Sequence, residues 1–470
     1  MSTQHTPERS LSAVPPKKLV AVGLLIASLI TAVVVNLATD DLRLWGLLPI
    51  VVYAVLVLLE LDVVLATGAA LIVGLLLNGV GPLDFGTMMA ESLGSFIAVV
   101  GLIIMLGAGL GRIAADTGAA QTLVRELLHR VGIDSPLRIQ VGIMLASTVL
   151  VGALGTLAGA NAILAPIVIP VAAAVSRSRP SVAAMLHAGG AAGLIIGPFT
   201  PPVVTITGAA DISYVRYLLS AGLPMAIVTW GVGFAMARYI QRRTAETEQY
   251  TAEQIAGLDN PAEPTASERR AAFAFIGTLV AMAVLGVILE AGYAYAIVVM
   301  LVTAIVTALA GGMRPADALN SFYAGASSLL WLFFLFWLFN PLLTMLENSG
   351  AYETLLDALE PALADAGPWP FLMLALVVGW IGVAGAAVAQ VVLIDELLWP
   401  VAASIGVAPG AWSAALLGGS QIDWFGPFPN ADMIGQMGLA RSANLRMMLL
   451  NGWAIMGANL VLFAGLFLIL

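Results

Sequence analysis

Apolar stretches of helical length recur almost from end to end of this chain, and no other feature limits its fold so strongly. Each is long enough for the roughly 20 residues that carry a helix across a bilayer core. Candidate spans cover 19–38, 44–62, 63–79, 95–112, 214–240, 271–290, 293–311, 327–346 and 447–470. Four more apolar stretches, 138–176, 182–212, 369–405 and 411–436, are interrupted by small residues or prolines. The polar/apolar alternation of membrane barrel strands is absent. Only 10% of the residues are charged, against about 25% in a soluble protein, and this excludes a soluble or disordered chain. The fold class expected is an all-α polytopic membrane protein.

Absences narrow the function. There is no cysteine, so a disulfide framework and a thiolate metal site are excluded. No Walker A motif occurs, so ATP does not drive this chain directly. No enzyme activity and no cofactor are expected.

Arginine placement gives an orientation. Arg9, Lys17 and Lys18 put the N-terminus in the cytoplasm. Alternating spans then bring Arg112, Arg125, Arg130 and Arg138 inside, then Arg177 and Arg179, then Arg238, Arg242 and Arg243, and finally Arg441 and Arg446. Segment 347–368, with five carboxylates and no Lys or Arg, falls outside. The expected location is the bacterial inner membrane, multi-pass, with the first helix retained.

The two halves match. Gly118-Ala119 with Thr122-Leu123 corresponds to Gly350-Ala351 with Thr354-Leu355. Pro170-Val171-Ala172-Ala173 corresponds to Pro400-Val401-Ala402-Ala403, and Gly197-Pro198-Phe199 to Gly426-Pro427-Phe428. The count of spans places matching segments on opposite sides, so the repeats are inverted. Inverted repeats around interrupted helices are typical of secondary transporters, with sites near the midplane. The expected organisation is 1–62, a tail with extra helices; 63–240, the first repeat, with hairpin 138–176 and broken helix 182–212; 241–270, a cytoplasmic linker; 271–292, a linking helix; and 293–470, the second repeat, with hairpin 369–405 and broken helix 411–436. The two hairpins read as re-entrant.

This layout resembles the ion transporter superfamily, which includes divalent-anion/sodium symporters, gluconate and lactate permeases and some sodium/proton antiporters. Leu110-Gly111-Arg112 to Asp116-Thr117-Gly118-Ala119-Ala120-Gln121 is similar to gluconate-type permeases. The Ser-Asn-Thr hairpin tips of the divalent-anion branch are absent; Thr156 and Asn161 stand in that region. The resemblance implies a homodimer and an elevator mechanism, in which hairpins and broken helices carry substrate past a fixed scaffold.

Candidate site residues follow from the tips and breaks. Small residues let a ligand approach the backbone; prolines free carbonyls for a cation, and half-helix N-termini can hold an anion. The substrate set is Gly155, Thr156, Asn161, Gly197, Thr200, Gly385, Gln390, Gly426 and Asn430. Ionisable groups at membrane depth are functional candidates. Asp423 leads this coupling set, since its counterpart Leu194 shows that repetition does not require it. Asp395 and Glu396 read equally as coupling groups or as a hydrated edge. His187 reads as a proton relay or as a packed, hydrogen-bonded ring. Sodium at Asp423, Asn161 and Asn430 is one form of the coupling site. Trp45, Trp369 and Trp412 are expected near the interfaces.

The leading expectation is a cation-coupled transporter of a small organic anion, a carboxylate by preference, with lipid and a second copy as partners and no nucleic acid. The alternative is a sodium/proton antiporter using the same carboxylates.

Overall fold

The structure, a computed structural model, describes residues 16–39, 41–59, 61–132, 135–256, 263–351, 354, 367–381 and 387–470. Among these the regular structure is helical, apart from one isolated bridge between Ser178 and Gln249. Nine of the described helices are long and apolar enough to cross a membrane. The chain divides into two compact units.

The first unit comprises residues 1–90 and 341–355. Here α1 (Pro16–Ala38) is fastened to α3 (Val63–Leu77) by Asn36, whose Nδ2 donates to the Leu77 carbonyl at 3.0 Å. Between them, a 3-10 turn (Arg43–Leu47) runs directly into α2 (Leu48–Leu58), still short of a full span, and α3 has 15 residues. The full-length spans expected at 44–62 and 63–79 are therefore corrected: each helix is shorter than a crossing requires. The expected division after residue 62 is kept, because the Asp62 carboxylate caps the α3 amides of Val64 and Leu65 and so begins a new helix.

After α4 (Pro82–Ser92), the second unit holds residues 91–340 and 356–470. Helix α5 (Phe96–Asp116) packs on residues further along the chain through glycines: a Cβ at Gly109 would meet the Phe322 ring at 2.7 Å. The expected polar segment 116–131 is α6 (Ala119–Val131), an amphipathic helix that buries Ala120, Val124 and Leu128.

The hairpin expected at 138–176 consists of α7 (Pro136–Leu154) and α8 (Leu157–Ala174). The broken helix expected at 182–212 starts earlier, as α9 (Arg179–Ile196), and resumes as α10 (Pro201–Ala209). Helices α7 and α9 meet backbone to backbone. A Cβ on Gly189 would lie 2.5 Å from the Met144 carbonyl oxygen, and one on Gly152 would lie 3.2 Å from that of Gly193. Small residues permit such approaches in a membrane, where apolar burial gives helices little drive to associate.

Helix α11 (Leu223–Thr244) extends past the expected span end at 240. The expected 241–270 linker is therefore shorter, and its first part is ordered. Residues 245–256 form a strap, and α12 (Ala266–Ile288) opens with a Thr265–Glu268 capping box. The strap ties two turns together. The Glu248 carbonyl accepts from the Arg179 amide at 3.0 Å, and the Tyr250 hydroxyl donates to the Ala440 carbonyl at 3.0 Å.

Then come α13 (Tyr295–Ala310), α14 (Pro315–Ser327) and α15 (Leu330–Asn348). The second hairpin has limbs α16 (Pro368–Ile381) and α17 (Ala387–Ser404). Its tip, and most of the polar helix expected at 350–365, lie outside the described residues. The second broken helix runs as α18 (Pro409–Ser420), α19 (Ile422–Phe425) and α20 (Ala431–Leu439), before α21 (Leu445–Leu466). Gly379 and Gly419 bring α16 onto α18, where a Cβ on Gly379 would lie 2.5 Å from the Gly419 Cα.

Candidate functional site between a hairpin tip and two helix breaks

The first hairpin turns at Gly155, whose φ of 72° lies in the left-handed region that favours glycine. A Cβ placed there would be 3.4 Å from the Pro201 ring and 3.7 Å from the Thr200 Cα. The tip thus rests on the break between α9 and α10. Beyond it, Thr156 precedes α8 without capping it by its side chain. The amides of Leu157, Ala158 and Gly159 belong to the first turn, which has no intrahelical acceptors. Ala158 and Gly159 are exposed. Gly159 has a steric reason to be glycine, since a Cβ would lie 2.7 Å from the Thr156 hydroxyl. The result is an uncapped helix N-terminus that favours an anion.

Helix α10 begins differently. Pro201 and Pro202 occupy its first positions and remove two of the donors that α8 retains. The carbonyls at the end of α9 are also occupied. The Thr200 hydroxyl lies 2.6 Å from the Leu194 oxygen and 2.9 Å from that of Gly197. Tyr217 donates to the Ile195 carbonyl at 2.9 Å and Tyr214 to that of Ile196 at 2.5 Å. The expectation that this break offers free carbonyls to a cation is therefore corrected. Thr200 is fully buried, and Gly197 is buried against Gly152; both close the break. Sequence reasoning missed both tyrosines, although a buried Tyr hydroxyl generally needs a partner.

Asn161 lies one turn into α8 and is fully buried. Its Nδ2 donates to the Leu186 carbonyl at 3.0 Å and to Gln436 Oε1 at 2.8 Å, while its Oδ1 accepts from Ser147 at 2.7 Å. It is a clasp joining α8, α9 and α20. Its partner Gln436, missed in the sequence, keeps a buried Nε2 with no hydrogen-bond partner among the described residues.

The second break is chemically distinct. Gly426 has φ 101° and ends α19. Asn430 spans the gap: its Oδ1 accepts from the Met433 amide at 2.8 Å and its Nδ2 donates to the Ile422 carbonyl at 3.2 Å. His187, fully buried on α9, reaches the Trp424 carbonyl through Nε2 at 2.6 Å, and its Nδ1 lies 3.2 Å from Asn451 Nδ2. A carbonyl can only accept, so Nε2 carries the proton and Nδ1 accepts from Asn451. Both ring nitrogens are committed, and His187 is a tether between α9 and the second break. Asp423, the residue before Trp424, is buried, and half-buried Asp432 lies within its electrostatic reach. Asp432 precedes Gln436 by one helical turn, on the same face of α20. The structure thus brings Asp432 to Asp423, while Asn161 and Asn430, the other expected sodium ligands, have their amides engaged elsewhere.

The remaining candidates lie apart from this acid pair. Asp395 accepts from Trp412 Nε1 at 2.6 Å. Trp412 lies eight residues of helix before Ser420, about 12 Å of rise, so the structure separates Asp395 from Asp423. Glu396 adjoins it, half-buried. The expected interfacial place of Trp412 is corrected: it is fully buried, held by that carboxylate. Gln390 donates to the Gly379 carbonyl and braces the second hairpin. Gly385 lies outside the described residues.

Comparison with known proteins agrees with this architecture. No curated protein matches the chain. Among solved structures, it is similar to the Alcanivorax borkumensis YdaH transporter, described as having an unusual topology. The TM-score is 0.64 at 13% identity, over 96% of this chain and 98% of that one. The profile of the CitMHS citrate transporter family matches residues 51–424. The chain belongs to the CitMHS citrate transporter family and has the helical membrane fold of a secondary transporter.

Proposed function

We propose that this protein carries citrate, or a closely similar carboxylate, across the inner membrane together with a proton or sodium ion. The uncapped first turn of α8, at a tip that rests on the first break, carries this reading. No Lys or Arg occurs in 139–176, 180–215 or 409–440. A carboxylate in this region must therefore be held by backbone N–H groups, the Thr156 hydroxyl and helix-terminal charge. Asp423 and Asp432 flank the other break and take the coupling cation; protonation or sodium binding there offsets the cost of holding two acids close together.

In this reading the halves are inverted repeats, and the re-entrant hairpins and broken helices form the moving body of an elevator. The packing supports it: α8 of the first half touches α20 of the second, and α10 of the first touches α17 of the second. The protein works as a homodimer, with its N-terminus in the cytoplasm.

Uptake of labelled citrate into proteoliposomes under imposed proton or sodium gradients tests this. Gradient-driven accumulation is expected. A second reading, sodium/proton antiport, is favoured by the acid pair and by the lack of basic residues around it. It prevails if sodium changes the internal pH and no carboxylate accumulates.

A further inference from the structure

Arg177 sits in the turn between α8 and α9, outside the apolar spans, and is only 7% exposed. Its guanidinium donates to the Pro136 carbonyl, while its buried Nε has no hydrogen-bond partner among the described residues. Among the described residues no carboxylate forms an ion pair with it. Gln241 Nε2 donates to the Ser176 carbonyl at 3.0 Å, which ties the turn that carries Arg177 to the helix that carries Arg238 three residues earlier, and Arg238 is the second cation acting on Arg177. Burial first, and then Arg238, pull the Arg177 guanidinium below its ordinary value. A buried cation facing a like charge is costly unless an anion completes the site.

Arg238 is exposed, and the surface below it is suited to lipid. Its guanidinium lies 6.0 Å over the Phe234 ring. Phe234 stacks on Trp230 at 5.6 Å with an interplanar angle of 9°. Trp230, Phe234 and Arg238 follow one another at four-residue spacing, so they form one stripe on α11. Aromatic rings below an arginine, near the end of a membrane helix, match the layering of a phospholipid, with acyl chain beneath phosphate.

We infer that Arg177 and Arg238 bind a phosphate group, with the Phe234–Trp230 stripe positioned for the acyl chain if that group belongs to a membrane lipid. The site is separate from the tip and breaks, and its test needs no transported substrate. Thermal unfolding of the purified full-length protein would be followed with phosphatidylglycerol, with phosphatidylcholine, and in a third arm with inorganic phosphate alone. The wild type gains about 3 °C or more from phosphatidylglycerol over phosphatidylcholine. Arg238→Gln, an exposed change that keeps the fold, loses most of that gain. Arg177→Lys, which keeps the charge but not the planar fork, loses part of it. A matching, arginine-dependent gain from inorganic phosphate identifies the source as free phosphate. Equal gains in the wild type and both variants, or no gain from either phosphate source, overturn the inference.

Discussion

The two helix breaks share a Gly-Pro-Phe signature but differ in chemistry. The first is closed by hydroxyls: Thr200, Tyr214 and Tyr217 occupy the carbonyls of residues 194–197, and no ionisable carboxylate or amine stands among them. The second is closed by amide, imidazole and indole donors from Asn430, His187 and Trp453, with Asp423 and Asp432 on either side. One sequence motif thus provides an electrically quiet platform in one half and a titratable gap in the other. The signature specifies where a helix stops; the residues around it decide what that stop can bind.

The largest expected effect is at the acidic break. Asp423→Asn should abolish gradient-driven citrate accumulation while the protein still folds. Retained accumulation in proteoliposomes would remove the functional difference between the breaks. Next comes the packing of α7 on α9, the helix that leads into the quiet break. Gly189→Val would push a side chain into the Met144 carbonyl, and overpacking of this kind costs about 1–3 kcal/mol or more. Loss of a monodisperse peak in size-exclusion chromatography is the expected result. Thr156→Val should raise the citrate KM about 10- to 150-fold, with little change in melting temperature, since a hydrogen bond to a charged group contributes about 1.5–3 kcal/mol. An unchanged KM would move the anion away from the tip. The smallest effect belongs to the tether. His187→Gln should lower stability by about 0.6–1.7 kcal/mol, the range for membrane hydrogen bonds. The pH profile of transport should keep its shape; a lost limb would return His187 to the proton path.

Much of this fold was legible because membrane helices announce themselves by length and apolarity. Glycines and prolines marked the breaks within a few residues. The boundaries that slipped did so for local reasons: Pro180 stands in the first turn of α9, which opens at Arg179, three residues before the expected start, and α3 ends at Leu77, two residues before its expected end. Less of the site could be read. Asp423 stood out as a carboxylate in an apolar stretch. The partners that decide Asn161 and His187 lie 275 and 237 positions away, beyond any local pattern. Tyr214 and Tyr217 carry no sequence signal, because their acceptors exist only after α9 has stopped.

The separation between Asn161 and Gln436 also bears on how the molecule is made. At about 5–20 residues per second, the ribosome needs roughly 15–60 s to travel from one to the other. Through that interval the first hairpin carries an amide whose final acceptor has not been synthesised, in a solvent that offers it none. Residues 245–256 emerge early and can lodge against Arg179, but their anchor at Ala440 comes last. Closure of these contacts is thus timed by translation, since each waits for a segment near the end of the chain.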